Sequence, residues 1–124
     1  MDFTYDEVTE RLRERLLAFM DECVYPAEEE FEAQAAESGW RPPPVLEKLK
    51  AEARRRGLWN LFLPGEYGAG LTNLQYAPLA EIMGRSPRIA PAATNCAAPD
   101  TGNMEVLAMF GTPEQRRAWL EQIG

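Results

Sequence analysis

Three times in 124 residues a threonine is followed three positions later by Glu or Gln: Thr4 with Glu7, Thr72 with Gln75, and Thr112 with Gln115. Each pair has the form of a capping box. The hydroxyl takes a free backbone N–H of a starting helix, and the longer side chain returns to the cap's own N–H. Phe3 with Val8, and Leu71 with Tyr76, are spaced as hydrophobic staples across the first two boxes. Pro113 stands at the first helical position after Thr112, where its missing N–H is no loss. A chain that marks helix starts this often leaves little length for a sheet.

Apolar spacing extends each start into a helix. Val8, Leu12, Leu16, Phe19, Met20 and Cys23 or Val24 recur at helical intervals until Pro26, which is expected to end or kink the run. Glu28, Glu29 and Glu30 suit the positive end of a second helix, as a solvated first turn. Ser38-Gly39-Trp40 and Pro42-Pro43-Pro44 then form a stiff connector. A third helix carries Val45, Leu46, Leu49 and Ala53 on one face and stops at Gly57. Arg54-Arg55-Arg56 reads as a basic helix C-terminus, with a docking patch for an anionic ligand as the alternative.

Leu58 to Leu63 is predicted as a buried extended segment, stopped by Pro64-Gly65. Pro64 to Gly70 is a run of turns whose glycine spacing does not match a dinucleotide fingerprint. The helix after Thr72 is expected to bury Leu74, Leu79, Ile82 and Met83 and to kink at Pro78. Ser86 to Pro99 is a long connector with three prolines, and the last helix carries Trp119, Leu120 and Ile123. The fold class is therefore all-α, a bundle of about six helices in one domain over residues 1–124.

The stretch Thr94–Leu107, TNCAAPDTGNMEVL, is the least ordinary part of the chain. Asp100 is placed to cap a helix beginning at Thr101, and Gly102 allows close backbone approach. Met104, Val106, Leu107, Ala108, Met109 and Phe110 surround the helix axis, with Glu105 the only charge. A helix apolar all round is normally buried all round. It is either the central helix of the bundle or a surface facing a long apolar ligand or another domain.

Composition removes several function classes. A net charge of −7 argues against a nucleic-acid partner. The absence of histidine removes Ser-His and Cys-His catalysis and histidine metal sites. Two cysteines, Cys23 and Cys96, are too few for a disulfide framework and fit a cytoplasmic protein. No apolar run has the length of a membrane span. Glu66, Glu81, Asp100 and Glu105 form no convincing acid/base pair by local spacing.

The longer motifs carry a resemblance. They are Gly57-Leu58 with its apolar run, Pro64-Gly65-Glu66-Tyr67-Gly68-Ala69-Gly70-Leu71, and Tyr76 to Arg85. Ala98-Pro99-Asp100 and Gly111-Thr112-Pro113-Glu114-Gln115-Arg116 complete the set. Together they resemble the N-terminal helical domain of the acyl-CoA dehydrogenase family, over essentially the whole chain. The block from Asn95 to Leu107 resembles the branch whose larger members carry a phosphotransferase-like domain. Many relatives have a paired glycine where this chain has Gly68-Ala69-Gly70, a departure from the pattern that bears on the detailed conformation of that loop and not on the resemblance.

The resemblance implies a three-part enzyme, with a middle β domain and a C-terminal helical bundle that this chain lacks. It implies FAD bound mainly by those other domains, and a catalytic glutamate supplied by the C-terminal bundle beyond Gly124. The implied reaction is α,β-dehydrogenation of an acyl-CoA thioester, with hydride passing to the flavin. The implied partners are the acyl-CoA substrate, the remaining domains, an electron-transfer acceptor and further copies in a homo-oligomer. No catalytic residue is expected in this chain. Cys96, Pro99, Asn103, Met104 and Leu107 are the expected substrate-lining residues, with Asp100 as the cap that sets the helix start. The competing reading is a stand-alone helical interaction module, its apolar helix serving a partner groove.

Overall fold

The computed structural model describes residues 2–123, and among them there are helices and turns but no strand. Gly124, the expected edge of the domain, lies outside the described residues.

The first helix, α1 (Glu7–Phe19), starts from a different cap than expected. Asp6, not Thr4, takes the free N–H: Thr9 N donates to Asp6 Oδ1 at 2.8 Å. Thr4 N is occupied by Asp2 Oδ1 at 2.9 Å. A carboxylate caps as well as a hydroxyl and adds a charge at the positive end of the helix. Phe3 and Val8 remain exposed, so the predicted staple does not form.

Pro26 does not end the run. The helix widens into a π turn (Met20–Val24), tightens into a 3-10 turn (Tyr25–Ala27) and continues as α2 (Glu28–Ser38). These changes of pitch accommodate a residue that cannot donate to the turn before it. Glu28, Glu29 and Glu30 occupy the exposed first turn of α2, as expected.

Helix α3 (Pro44–Arg55) buries Val45, Leu46, Leu49 and Ala53. Its start is tied to α2 by Val45 N, which donates to Gln34 Oε1 at 2.8 Å. The basic run at its end is committed to the fold. Arg55 and Arg56 both bond Glu52, Arg56 also meets Glu22 at 2.7 Å, and Arg54 stacks 4.0 Å from the centre of the Trp59 ring.

Leu58, Leu61 and Leu63 are buried as predicted, but the segment is not extended. It turns about Asn60, whose φ is 54°, with Leu63 N donating to Asn60 O at 3.1 Å. A lone buried strand would have no ladder for its polar backbone, whereas turns satisfy part of it locally.

In α4 (Asn73–Met83) the predicted capping box forms, with Gln75 N on Thr72 Oγ1 at 3.2 Å and Thr72 N on Gln75 Oε1 at 2.9 Å. Leu79, Ile82, Met83 and Pro78 are buried, while Leu74 stands 86% exposed on the outer side of the first turn, contrary to expectation. The long connector contains a single turn, α5 (Ala90–Ala93). Helix α6 (Asp100–Phe110) follows. The Thr112–Gln115 box then starts α7 (Pro113–Gln115), which passes through a π turn (Arg116–Leu120) into α8 (Glu121–Ile123). Leu120 is buried and Ile123 packs partly against it, but Trp119 points outward.

Two apolar clusters result. The larger joins α1, the α2 region, α3, α4 and α5 around residues such as Leu16, Phe19, Leu49, Leu58, Leu79 and Ile82. The smaller is Leu63, Met104 and Leu120, edged by Phe62, Tyr67, Leu107, Ala108 and Ile123. The loop between Leu63 and Leu71 links the two.

That loop explains the departure at Gly68-Ala69-Gly70. A Cβ on Gly68 would lie 2.0 Å from Leu63 O, a backbone atom that cannot move aside. Gly70 has φ +68°, which L side chains avoid. Ala69 between them is exposed and tolerates its methyl. Gly68→Ala is expected to lower stability by roughly 1–3 kcal/mol or more, the range for forced overpacking. Ala69→Gly should cost well under that. Urea unfolding of the two variants checks the contrast.

Glu52 sets a pH dependence. Hydrogen bonds from Arg55 and then Arg56 hold its carboxyl down from an ordinary 4.5 to about 2. A depressed carboxylate contributes stability above its unfolded pKa and loses it as pH falls through the folded one. Stability should therefore decline between about 4.5 and about 2 in part through this group. In Glu52→Gln that part of the decline should vanish, and acid titration of the unfolding midpoint measures it.

Candidate functional site

The stretch from Thr94 to Leu107 is held from beneath by two asparagines. Asn60 and Asn95 both adopt positive φ, 54° and 56°. Asparagine is among the few residues with a side chain that enter this region readily. The two hydrogens of Asn95 Nδ2 reach Asn60 Oδ1 at 2.7 Å and Ile123 O at 3.0 Å, and the nitrogen lies 3.6 Å from Met104 Sδ. Asn60 N donates to Thr94 O at 3.1 Å, and Asn60 Nδ2 to Tyr67 O at 3.4 Å. One amide pair thus ties the 58–70 loop, the connector, α6 and α8 together.

The neighbouring residues are equally committed. Thr94 is fully buried and its hydroxyl donates to Ala90 O at 2.9 Å. Cys96 is half-buried, with its N–H on Pro91 O at 2.7 Å and its thiol on Thr94 O at 3.4 Å. It also meets Tyr76. Burial first, and then the Cys96 sulfur, raise the phenol's pKa far above its ordinary value, so Tyr76 stays protonated.

The expected site residues do not share one surface. Pro99 and Asn103 are exposed, Cys96 and Leu107 are half-buried, and Met104 is fully buried against Leu63 and Leu120. Met104 seats α6 and does not open onto any surface of the described residues. Asp100 does not cap. It is the first residue of α6, Pro99 is the N-cap, and no side-chain cap bond is made. Asp100 is exposed, and its charge acts only as a favourable carboxylate in the first turn.

The central-helix reading of α6 also fails. Only Met104 of its eleven residues is buried. Val106, Met109 and Phe110 are 59%, 68% and 76% exposed. With Gly102 and Asn103 they follow the three- and four-residue spacing of one helix face. Nothing lies within 4 Å of a Cβ placed on Gly102. The cause is geometric: α6 rests on the small cluster by one side, and no second layer covers the other. Its last turn is fixed by Gly111 N and Arg116 Nε, which both bond Leu107 O, at 2.9 and 3.3 Å.

The carboxylates offer no pair for acid/base work. Glu66, Glu81, Asp100 and Glu105 are all exposed, and Glu81 faces Arg85 at 3.6 Å. No group of His, Cys, Asp and Glu among the described residues could hold a metal ion. Among the described residues no helix is long and apolar enough to cross a membrane. A cleft of about 680 Å³ lies between residues 2–6 and α4, lined by Phe3, Tyr5, Leu74 and Pro78, and shares no lining residue with α6.

The family description "Acyl-CoA dehydrogenase, N-terminal domain" matches residues 6–124. The chain belongs to the acyl-CoA dehydrogenase family. It is 52% identical to "Probable acyl-CoA dehydrogenase FadE2" of Mycobacterium tuberculosis, over 99% of this chain and 30% of that protein. It is 50% identical to "Acyl-CoA dehydrogenase family member 10" of Mus musculus, over 89% of this chain and 11% of that protein. A solved structure from Mycobacterium abscessus, named as an acyl-CoA dehydrogenase, superposes with a TM-score of 0.88 at 45% identity, covering 97% of this chain and 32% of that one. The chain therefore spans less than a third of the curated relatives it matches. Family members 10 and 11 are of the branch expected from residues 95–107, and the all-helical fold is that of the family's N-terminal domain.

Sequence reasoning missed Asn60. The signal was present as one amide inside the apolar run Leu58-Trp59-Asn60-Leu61-Phe62-Leu63. Asn95 lay inside the singled-out stretch but was given no role.

The open face of α6 makes a direct prediction. A polarity-sensitive dye such as ANS should bind this chain in isolation, because contiguous exposed apolar side chains attract it. Val106→Ser with Phe110→Ser should remove most of the fluorescence gain and shift stability by no more than about 0.5 kcal/mol, as for ordinary surface changes. Undiminished dye binding would place the apolar surface elsewhere.

Proposed function

We propose that this chain forms the N-terminal helical domain of a flavin-dependent enzyme that dehydrogenates an acyl-CoA thioester at its α and β carbons. In that enzyme the open face of α6 is covered partly by the acyl chain and partly by the remaining domains. The observation that carries this reading is the exposed stripe of Val106, Met109 and Phe110, on a chain that matches under a third of its relatives' length. An apolar wall suits an acyl chain, since each methylene it buries contributes about 0.8 kcal/mol. Asn103 and Pro99 lie on the exposed side and Leu107 at its edge, so these are the wall residues proposed here; Cys96 and Met104 support them from within.

FAD does not fit this domain by itself. The open face of α6 is apolar, and the two exposed charges of the helix, on Asp100 and Glu105, are both negative and would repel a pyrophosphate. The flavin, which supplies the redox chemistry, and the base belong on this reading to a middle β domain and a C-terminal helical bundle. What this domain contributes is shape and exclusion of water from the reacting carbons. A soluble electron acceptor, a homo-oligomeric assembly and a cytoplasmic setting complete the proposal; two free, half-buried cysteines accord with a reducing compartment.

The test uses the full-length protein and the 124-residue chain side by side. The full-length protein should purify with flavin and oxidise acyl-CoA with an artificial electron acceptor. The short chain should retain no flavin and turn nothing over. Stoichiometric FAD on the short chain would overturn the division of labour. Flavin-free and inactive full-length protein would favour the interaction-module reading. In the active enzyme, Asn103→Trp should lower kcat/KM for a sixteen-carbon thioester relative to a four-carbon one by roughly tenfold or more, as pocket-filling groups do. An unchanged ratio removes this face from the pocket.

A further inference from the structure

The geometry points to Asn95 as a positioning residue: its side-chain amide holds the open face of α6 in register with the end of α8, and so sets the depth of the cavity that face walls. This rests on the reading of α6 as an acyl wall. The wall itself is only half of what a cavity needs. An exposed helix face gives a fixed depth only if the helix cannot slide along or rotate on its bed.

The bed of α6 is unusually slight. Its one fully buried side chain is Met104, which meets Leu63 and Leu120 in the small cluster. Thioether packing is adaptable and fixes rotation poorly. Directional contacts must supply the rest. At the C-terminal end Arg116 Nε reaches Leu107 O at 3.3 Å. Near the buried side Asn95 Nδ2 lies 3.6 Å from Met104 Sδ, a weak sulfur contact that shares a hydrogen with the bonds to Asn60 Oδ1 and Ile123 O.

Ile123 makes the contact more than local. It belongs to α8, the last element of the described residues. A carbonyl there, held at 3.0 Å by the same nitrogen that touches α6, links the wall to the end of α8. Asn60 completes the frame by fixing the 58–70 loop beneath. None of these atoms reaches the open face, so Asn95 acts through α6 and not on the substrate.

The backbone at Asn95 allows a clean substitution. Its φ of 56° is a conformation glycine adopts without strain, so Asn95→Gly deletes the amide and leaves the turn intact. Asn95→Asp keeps the size but sets a carboxylate against two carbonyl-type acceptors. Val45→Ala, in the larger cluster, serves as a control that lowers stability without touching this frame.

In the full-length enzyme two quantities are read for each variant. One is the ratio of kcat/KM for palmitoyl-CoA to that for butanoyl-CoA. The other is hydrogen exchange in peptides covering residues 100–110, read by mass spectrometry. For Asn95→Gly and Asn95→Asp the ratio should change by about fivefold or more, on the scale at which pocket fit discriminates chain length. Exchange in α6 should accelerate by roughly tenfold, as for a locally loosened element. Val45→Ala should move neither beyond what its lowered stability dictates. An unchanged ratio with faster exchange would reduce Asn95 to a structural residue and overturn the proposal. Unchanged exchange would overturn it directly. If the unsubstituted enzyme turns over neither thioester, the acyl-wall reading fails instead, and the exchange measurement alone decides whether Asn95 holds α6.

Discussion

A single side-chain amide, that of Asn95, is the point on which the less compact half of this domain depends. The polar atoms around it sit where the large apolar cluster ends and the small one begins. An unpaired amide there would cost on the order of 1–3 kcal/mol, so the pair with Asn60 is a strict requirement and not an ornament. Both asparagines sit at positive φ, which turns their side chains toward each other from two loops thirty-five positions apart in sequence. The pair thus replaces the sheet ladder that an all-helical chain lacks as a means of pinning loops in register.

Helix α6 shows how the same composition supports two opposite structures. All-round apolarity ordinarily means all-round burial. Here one side is buried through Met104 against Leu63 and Leu120, while the other carries Val106, Met109 and Phe110 into the open. The sequence of α6 contains no cue for this, because burial depends on what lies opposite each side of a helix and not on the helix itself. Membership of the acyl-CoA dehydrogenase family, with under a third of its relatives' length matched, supplies a coherent reason for an uncovered face.

What was legible in the sequence follows from how local the deciding physics is. The boxes at Thr72 and Thr112 and the inward face of α3 depend on neighbours three or four positions away, and they appear as expected. The start of α1 differs from expectation because two acceptors two positions apart, Thr4 and Asp6, compete for the same role. Leu74 is expected inside from its apolar identity alone, which does not tell which side of a helix has a partner. The cap role of Asp100 failed because Pro99 precedes it at the N-cap, leaving the aspartate one position too far inside. For the site, the stretch was found but its internal order was not. Met104 and Asn103 are adjacent in sequence, yet one is buried and the other exposed, and the tie between Asn60 and Asn95 is a long-range contact that no spacing rule anticipates.

The division into two clusters has a consequence for how the domain comes apart. Nineteen buried residues hold the larger cluster and three hold the smaller. Cooperative units of such unequal size do not open at the same free energy. Residues 100–123 form a second tier that can lift from the first while α1, α3 and α4 remain folded. The domain therefore pairs a large cooperative base with a lightly held edge, and that edge carries the open face of α6.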